Sequence, residues 1–348
     1  MPLRVIHVGM GGWGQDWEEN AIPPVREVER VACVDASPDV LAAAKKRLSL
    51  PDAQCFTSLS EALSAVSADA VVITAPVGAH VPLAVEAMEA GLDVLTEKPF
   101  ATSLEEAVSA VALADKLGRT LMVSQNYRFY PGPVTATSLV SSGAVGELGS
   151  VFIDFRKWGN DAAPGTNKHY EIVHPLLFDM SIHHFDLLRK VTGQEPVSVF
   201  AKTMDPPWSR FVEEASAALV IEMSGGVVAS YRGSWVSNGE PTLWAGDWRL
   251  DCAEGEIYFT GRNSIAGSPD GDAVEVRRRV GGVVEKPALT KVPYVGRSGS
   301  LGEFARAIAA GVEPESSGRQ NLGSLALMEA AARSAASGQV EAVNVPSV

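Results

Sequence analysis

Short apolar runs alternate with amphipathic stretches through the first third of the chain. Residues 4–8, 30–35, 70–74, 93–96 and 120–124 are brief, apolar and rich in β-branched side chains, whereas 38–48, 80–90 and 103–117 carry Ala, Leu, Glu and Lys at helical spacing. Strand, helix, strand at this rhythm predicts right-handed crossovers and a parallel sheet. From about residue 126 the texture changes. Runs at 151–156, 197–202, 215–223, 227–235, 248–252, 256–259 and 273–279 read as strands separated by Gly, Ser and Asn turns. Only 175–192 among them has a strong helical pattern, Tyr130-Pro131-Gly132-Pro133 reads as a joint, and 301–310 and 322–337 close the chain as helices. The expected architecture is α/β over 1–125, a doubly wound parallel sheet, followed by an α+β domain over 126–348 with a mostly antiparallel open sheet.

Composition narrows the function classes. The 348 residues are 46% hydrophobic and 20% charged, which is too apolar for a disordered chain. Forty-two acidic against 29 basic residues give −13, the wrong sign for a surface that neutralises phosphates, so no nucleic-acid partner is expected. Cys33, Cys55 and Cys252 lack the paired spacing of a zinc site or redox dithiol and read as buried thiols in a reducing compartment. No apolar run reaches bilayer length and no secretory pattern precedes the first strand, so a cytoplasmic location without membrane contact is expected.

Gly9-Met10-Gly11-Gly12-Trp13-Gly14 matches G-x-G-x-x-G between the first strand and a helical segment. In that context the glycines serve a tight turn, close approach of backbone to a pyrophosphate, and helix-to-strand packing, with helix N-terminal amides facing the phosphates. Asp35 ends the second strand about 20 residues past Gly14, where a carboxylate binds ribose hydroxyls and repels a 2′-phosphate. These features predict a Rossmann-type domain that takes NAD in preference to NADP. Thr74, Pro76, His80, Glu97 and Lys98 complete the candidate cofactor-binding set. Pro23-Pro24 is expected to stop the first helix after about two turns.

Glu97-Lys98-Pro99 follows the strand at 93–96, so Lys98 falls near the carboxyl end of a parallel strand, where such sheets bind ligands. It reads either as a surface ammonium or as a ligand-facing one. In the helix at 175–192, Asp179, His183, Asp186 and Lys190 share one stripe. That stripe is either a solvated face or a base, since an Asp one turn before a His can fix the imidazole's tautomer. His184 points elsewhere and reads as structural. Trp158, Trp235 and Trp244 either pack or stack on a sugar ring, and Arg128, His169 and Tyr170 are candidates for binding hydroxyls or an anionic group.

The glycine motif, the Glu97-Lys98-Pro99 triplet, Asn126-Tyr127-Arg128 and Asp179-x-x-x-His183-x-x-Asp186 occur in an order that resembles the glucose-fructose oxidoreductase, inositol dehydrogenase and MocA (Gfo/Idh/MocA) family. The resemblance spans nearly the whole chain, Leu301-Gly302-Glu303-Phe304 included. Two positions depart from it: His174-Pro175 stands where many members carry glycines, and Ser181 where glycine is frequent. The resemblance implies catalytic roles for Lys98, Asp179 and His183, and a homodimer or homotetramer formed through the C-terminal sheet. The expected activity is NAD-dependent hydride transfer from a secondary alcohol of a sugar, sugar derivative or cyclitol, with Lys98, Asp179 and His183 also touching substrate and no metal. Two alternatives belong beside it: an NAD-dependent glycosidase that retains its cofactor, and a non-catalytic NAD-binding regulator.

Overall fold

Six parallel strands form the first sheet of the computed structural model, which describes residues 1–163, 165–265 and 267–348. They are β1 (Leu3–Val8), β2 (Val28–Val34), β3 (Cys55–Phe56), β4 (Ala70–Ile73), β5 (Asp93–Thr96) and β6 (Leu121–Val123), in the order β3-β2-β1-β4-β5-β6. β4 is buried along its whole length and β1 over its last four residues, as apolar runs in a covered parallel sheet should be. Strand order reverses between β1 and β4, and the crevice outside their carboxyl ends is where open α/β sheets bind ligands. Pro38–Leu48 and Leu104–Leu117 begin at Ser37 and Ser103, whose hydroxyls accept helix N–H groups, and end at left-handed Ser49 and Gly118. The helix Leu59–Ala65 and the edge strand β3 were too short for periodicity to reveal.

Contacts divide the chain into two compact units. One comprises Met1–Asn126 with Pro293–Leu322 and Pro346–Val348, the other Tyr127–Val292 with Gly323–Val345. Pro293–Leu322 joins the first unit through pairings far apart in sequence. Tyr294 Oη donates to Glu27 at 2.7 Å, Ser298 Oγ to the Ala21 carbonyl at 2.9 Å, and Arg297 pairs with Asp16.

The second unit holds β7 (Leu148–Arg156), β8 (Pro196–Met204), β9 (Ser216–Met223), β10 (Val228–Ser234), β11 (Asp247–Cys252), β12 (Gly255–Thr260), β13 (Ala273–Arg278), β14 (Val284–Glu285) and β15 (Glu341–Ala342). Their order is β14-β13-β12-β11-β7-β10-β9-β8-β15, antiparallel throughout apart from β7 with β10. Burial alternates along β9 and β10, so one face is covered. The other exposes Phe152, Phe200 and Val220 beside the ion pairs Asp154–Arg232 and Arg249–Glu256.

Two helical features differ from expectation. Pro131–Ser141 is a helix, because prolines in a first turn lose only N–H groups that have no intrahelical partner there. The stretch at 175–192 opens as a π-helix, Pro175–Ser181, and becomes α-helical only over Ile182–Thr192, stopping at left-handed Gly193. Nor is its polar stripe a solvated face, because His183 and Asp186 are both buried. Arg128 explains this by donating to Asp186 through Nε at 2.6 Å and Nη2 at 2.8 Å, a bidentate pair buried on both sides. Of the cysteines only Cys33 is fully buried, and all three are free thiols. No helix among the described residues is long and apolar enough to cross a membrane.

Removing one member of a buried ion pair strands the other. Arg128→Ala is therefore expected to cost about 3–5 kcal/mol and to lower Tm in thermal unfolding followed by circular dichroism. Arg128→Met combined with Asp186→Leu should recover most of that loss, and a double variant no more stable than the single one would contradict this account.

Candidate active site

In the first unit the glycine loop is shaped partly by the protein and partly by open space. Gly9 has φ of 99°, and a Cβ there would lie 2.4 Å from Ala75 N; one on Gly14 would lie 1.8 Å from Gly9 O. Those two glycines are required by the fold itself. A Cβ on Gly11 or Gly12 would meet nothing within 4 Å, so their missing side chains leave room above the loop that a dinucleotide's phosphates fit. Behind the loop, Thr74 Oγ1 donates to Gly9 O at 2.7 Å and bonds His7 Nε2 at 2.9 Å, while His7 Nδ1 meets Glu18 at 2.7 Å. Sequence reasoning missed this relay, whose one signal is a histidine inside an apolar strand.

Asp35 Oδ2 accepts the Met10 N–H at 2.8 Å and Oδ1 the Ser37 N–H at 2.9 Å, which aims the carboxylate beside the loop with lone pairs to spare. Trp13 is exposed, with the Arg297 guanidinium 4.3 Å from its ring centre. Three predicted cofactor contacts act from behind instead. Thr74 braces Gly9, His80 commits both ring nitrogens to the carbonyls of Ala75 and Pro99 at 2.8 Å each, and Glu97 is held by Trp17 Nε1 at 2.8 Å and by the Lys98 N–H at 3.1 Å. Pro76 and the half-buried Lys98 remain on the accessible side with Gly11, Gly12, Trp13 and Asp35.

The second unit gathers aromatic rings around His183. Tyr127 stacks flat on its imidazole, centroids 4.1 Å apart and planes within 3°. Asp179 Oδ2 bonds His169 Nε2 at 3.1 Å, and the His169 ring meets Trp235 edge-on at 4.9 Å. Trp235 in turn meets Trp244 at 5.8 Å. Arg262 and Lys157, which sequence reasoning did not single out, both lie over Trp244. His184 is structural as expected, bonding Tyr231 Oη at 3.2 Å and the Trp244 carbonyl at 3.1 Å. Ser181 also bonds Tyr231 Oη, at 2.9 Å, a contact that glycine could not make.

Three predicted substrate contacts are engaged elsewhere. Arg128 faces Asp186, Tyr170 is buried with its hydroxyl accepting the Ala162 N–H at 3.0 Å, and exposed Trp158 donates to Asp161 at 2.7 Å. His174, Glu213 and Glu214 come within metal-ligand spacing of one another, and Glu213 Oε2 accepts the His174 backbone N–H at 2.7 Å and lies 3.4 Å from its Nδ1.

Comparison with known proteins bears on both units. Residues 3–125 match the model of an oxidoreductase family's NAD-binding Rossmann fold, named Gfo/Idh/MocA, and residues 134–258 match that family's C-terminal domain. The chain is 30% identical over 244 residues to the uncharacterized protein y4oX of Sinorhizobium fredii, covering 67% of this chain and 66% of that one. It is 33% identical over 201 residues to the inositol 2-dehydrogenase of Corynebacterium glutamicum, covering 58% and 57%. The chain thus spans somewhat less than two thirds of these curated relatives. An oxidoreductase from Agrobacterium radiobacter, solved with NAD+, L-tartaric acid and magnesium, shares the fold at a TM-score of 0.84 and 22% identity over 99% of both chains.

Buried His184 and half-buried Asp272, both in the second unit, respond to pH in opposite directions. Burial pushes His184 down to about 4; the Trp244 carbonyl resists this and the Arg262 charge adds to it. Burial also pushes the Asp272 carboxyl up to about 6, against two backbone N–H bonds from Gly132 and Arg262. Between the ordinary histidine value of 6.5 and about 4, an unfolded His184 binds a proton that the folded one refuses, so this group's stabilisation is lost as pH falls. Between 3.8 and about 6, folded Asp272 keeps a proton that the unfolded one releases, so its contribution is lost as pH rises. Asp272→Asn should therefore unmask the histidine slope, with Tm falling more steeply than in the parent as pH drops from 6 toward 4. Parallel Tm curves for the two proteins would contradict the assignment.

Proposed function

We propose that this chain, which belongs to the Gfo/Idh/MocA oxidoreductase family, is an NAD-dependent dehydrogenase acting on a secondary alcohol of a sugar, sugar derivative or cyclitol. The observation that carries this reading is His183, a buried imidazole held flat against Tyr127 on the helix that also supplies the buried Asp186. A general base must be held in one orientation, and stacking fixes the ring plane. His183 takes the hydroxyl proton, and Asp179 supports the imidazolium that forms. Lys98, in the first unit, supplies an ammonium of the kind that stabilises negative charge developing on an alcohol oxygen. Bound NAD would supply the hydride acceptor for this oxidation. Gly11, Gly12 and Trp13 would receive its phosphates, and Asp35 the ribose hydroxyls.

The bond between Asp179 Oδ2 and His169 Nε2, at 3.1 Å, orients the carboxylate. Phe152, Phe200 and Val220 on the open face of the second sheet support a homodimer or homotetramer formed there.

Lys98→Ala and His183→Ala are each expected to lower kcat by about 10²- to 10⁴-fold while NAD affinity changes little. Near-normal turnover in the histidine variant would remove the proposed base. Asp35→Ala should weaken NAD binding and relax the exclusion of NADP. Tighter binding of NADP than of NAD by the parent protein would overturn the ribose assignment.

A further inference from the structure

Two cations in the second unit have no task in this chemistry. Arg262 follows β12 with φ of 58°, in the left-handed region that long side chains rarely adopt. Asp272 Oδ1 accepts its N–H at 2.8 Å and the Trp244 N–H donates to its carbonyl at 3.0 Å, so the backbone is held from both sides. The guanidinium carbon thereby lies 4.8 Å from the centre of the Tyr127 ring and 4.9 Å from that of Trp244. Of its five N–H donors, one is spent within the described residues, on Tyr127 Oη at 2.9 Å. Lys157 Nζ lies 4.8 Å from the centre of the same Trp244 ring. Among the described residues no carboxylate oxygen comes within 4.0 Å of either cation, in a chain whose net charge is −13.

Contact with an indole face stabilises each cation singly. It does not account for two like charges gathered at one half-buried ring without a counter-anion. Burial lowers the pKa of the Lys157 ammonium, and the charge of Arg262 lowers it further, so the pair is one that an anion would relieve. Tyr127 connects the pair to the proposed base, because its ring lies on His183 and its hydroxyl receives Arg262. An anion on Arg262 would thus lie against the same tyrosine that carries the imidazole, which brings it into the neighbourhood of the proposed base. The planar fork of the guanidinium suits a carboxylate in two-point contact, and the ammonium adds a point charge.

We propose that Arg262 and Lys157 form a carboxylate subsite beside His183, making the preferred substrate a polyhydroxy acid rather than a neutral sugar or cyclitol. This rests on the dehydrogenase reading for its reaction but not for its binding, and the test separates the two. Aldonates and uronates of four to six carbons, each beside its neutral alditol or aldose, are titrated calorimetrically into the protein with and without NADH. At least one acid should bind more tightly than its neutral counterpart. Arg262→Gln and Lys157→Gln should each weaken that acid by about 10- to 100-fold while leaving the neutral compound nearly unchanged, with Arg262→Lys recovering part of the loss. Near-ultraviolet circular dichroism checks that the variants keep the fold, and Lys157→Gln, away from the strained backbone, stands if Arg262→Gln does not fold. The proposal is overturned if no acid outbinds its neutral counterpart, if both Gln variants bind the acid normally, or if sugar phosphates bind more tightly than the acids and lose that affinity in the same variants. Charge-dependent binding without turnover of any compound would sink the dehydrogenase reading and leave the subsite standing.

Discussion

The pairing of two consecutive residues, Tyr127 and Arg128, with one turn of helix sets the geometry of the second unit. Arg128 closes on Asp186 through two short bonds, and Tyr127 lies flat on His183, three residues earlier on the same helix. Two contacts one helical turn apart fix both the rotation and the height of the helix against the segment that carries them. The ion pair is costly to break because each charge is buried, which anchors the weaker ring stack beside it. Ser324 also donates to Asp186, at 3.4 Å, and Arg189 on the same helix reaches both Glu195 and Ser324. The helix is thus held by polar contacts along a buried length where apolar packing alone would leave its register less defined.

Polar residues elsewhere divide into those that shape a surface and those that form it. Behind the glycine loop, the chain from Glu18 through His7 and Thr74 to Gly9 ends on a backbone carbonyl, and Glu97 and His80 end on the segments around Lys98. What is left on the accessible side is sparse: two glycines with nothing above them, Trp13, Pro76, an aspartate already aimed, and a lysine. Around His183 the same division holds. His184 and Tyr231 are spent on each other and on Ser181 and Trp244, whereas Arg262 and Lys157 keep donors in reserve.

Local constraints were legible in the amino-acid sequence and long-range ones were not. The seven main strands of the second sheet and five of the six in the first follow from period-2 or apolar runs bounded by turn residues, and the glycine loop from steric demands met within a few residues. The helices capped by Ser37 and Ser103 follow from their pattern to within a residue or two, whereas the shorter one capped by Ser58 does not. Nothing in the periodicity around 175–181 announces a π-helical turn, which depends on what the segment packs against. The pairing of Arg128 with Asp186 joins residues 58 apart, and that of Arg262 with Tyr127 residues 135 apart. By its type Arg128 reads as a ligand contact, and the buried carboxylate that takes up its charge is visible only in three dimensions. Arg262 is the converse case, since nothing local to it in the sequence marks a left-handed turn that aims a guanidinium at two rings.

The account stands or falls on His183 as the group that removes the substrate's proton. The most direct test is the primary deuterium isotope effect on kcat/KM, measured with substrate labelled at the carbinol carbon across mildly acid to mildly alkaline pH. A titrating imidazole base predicts a rate of alcohol oxidation that rises with pH wherever the isotope effect shows hydride transfer to be rate-limiting, with that rise absent in His183→Ala. A rate that stays flat over the same range while the isotope effect remains fully expressed would contradict it.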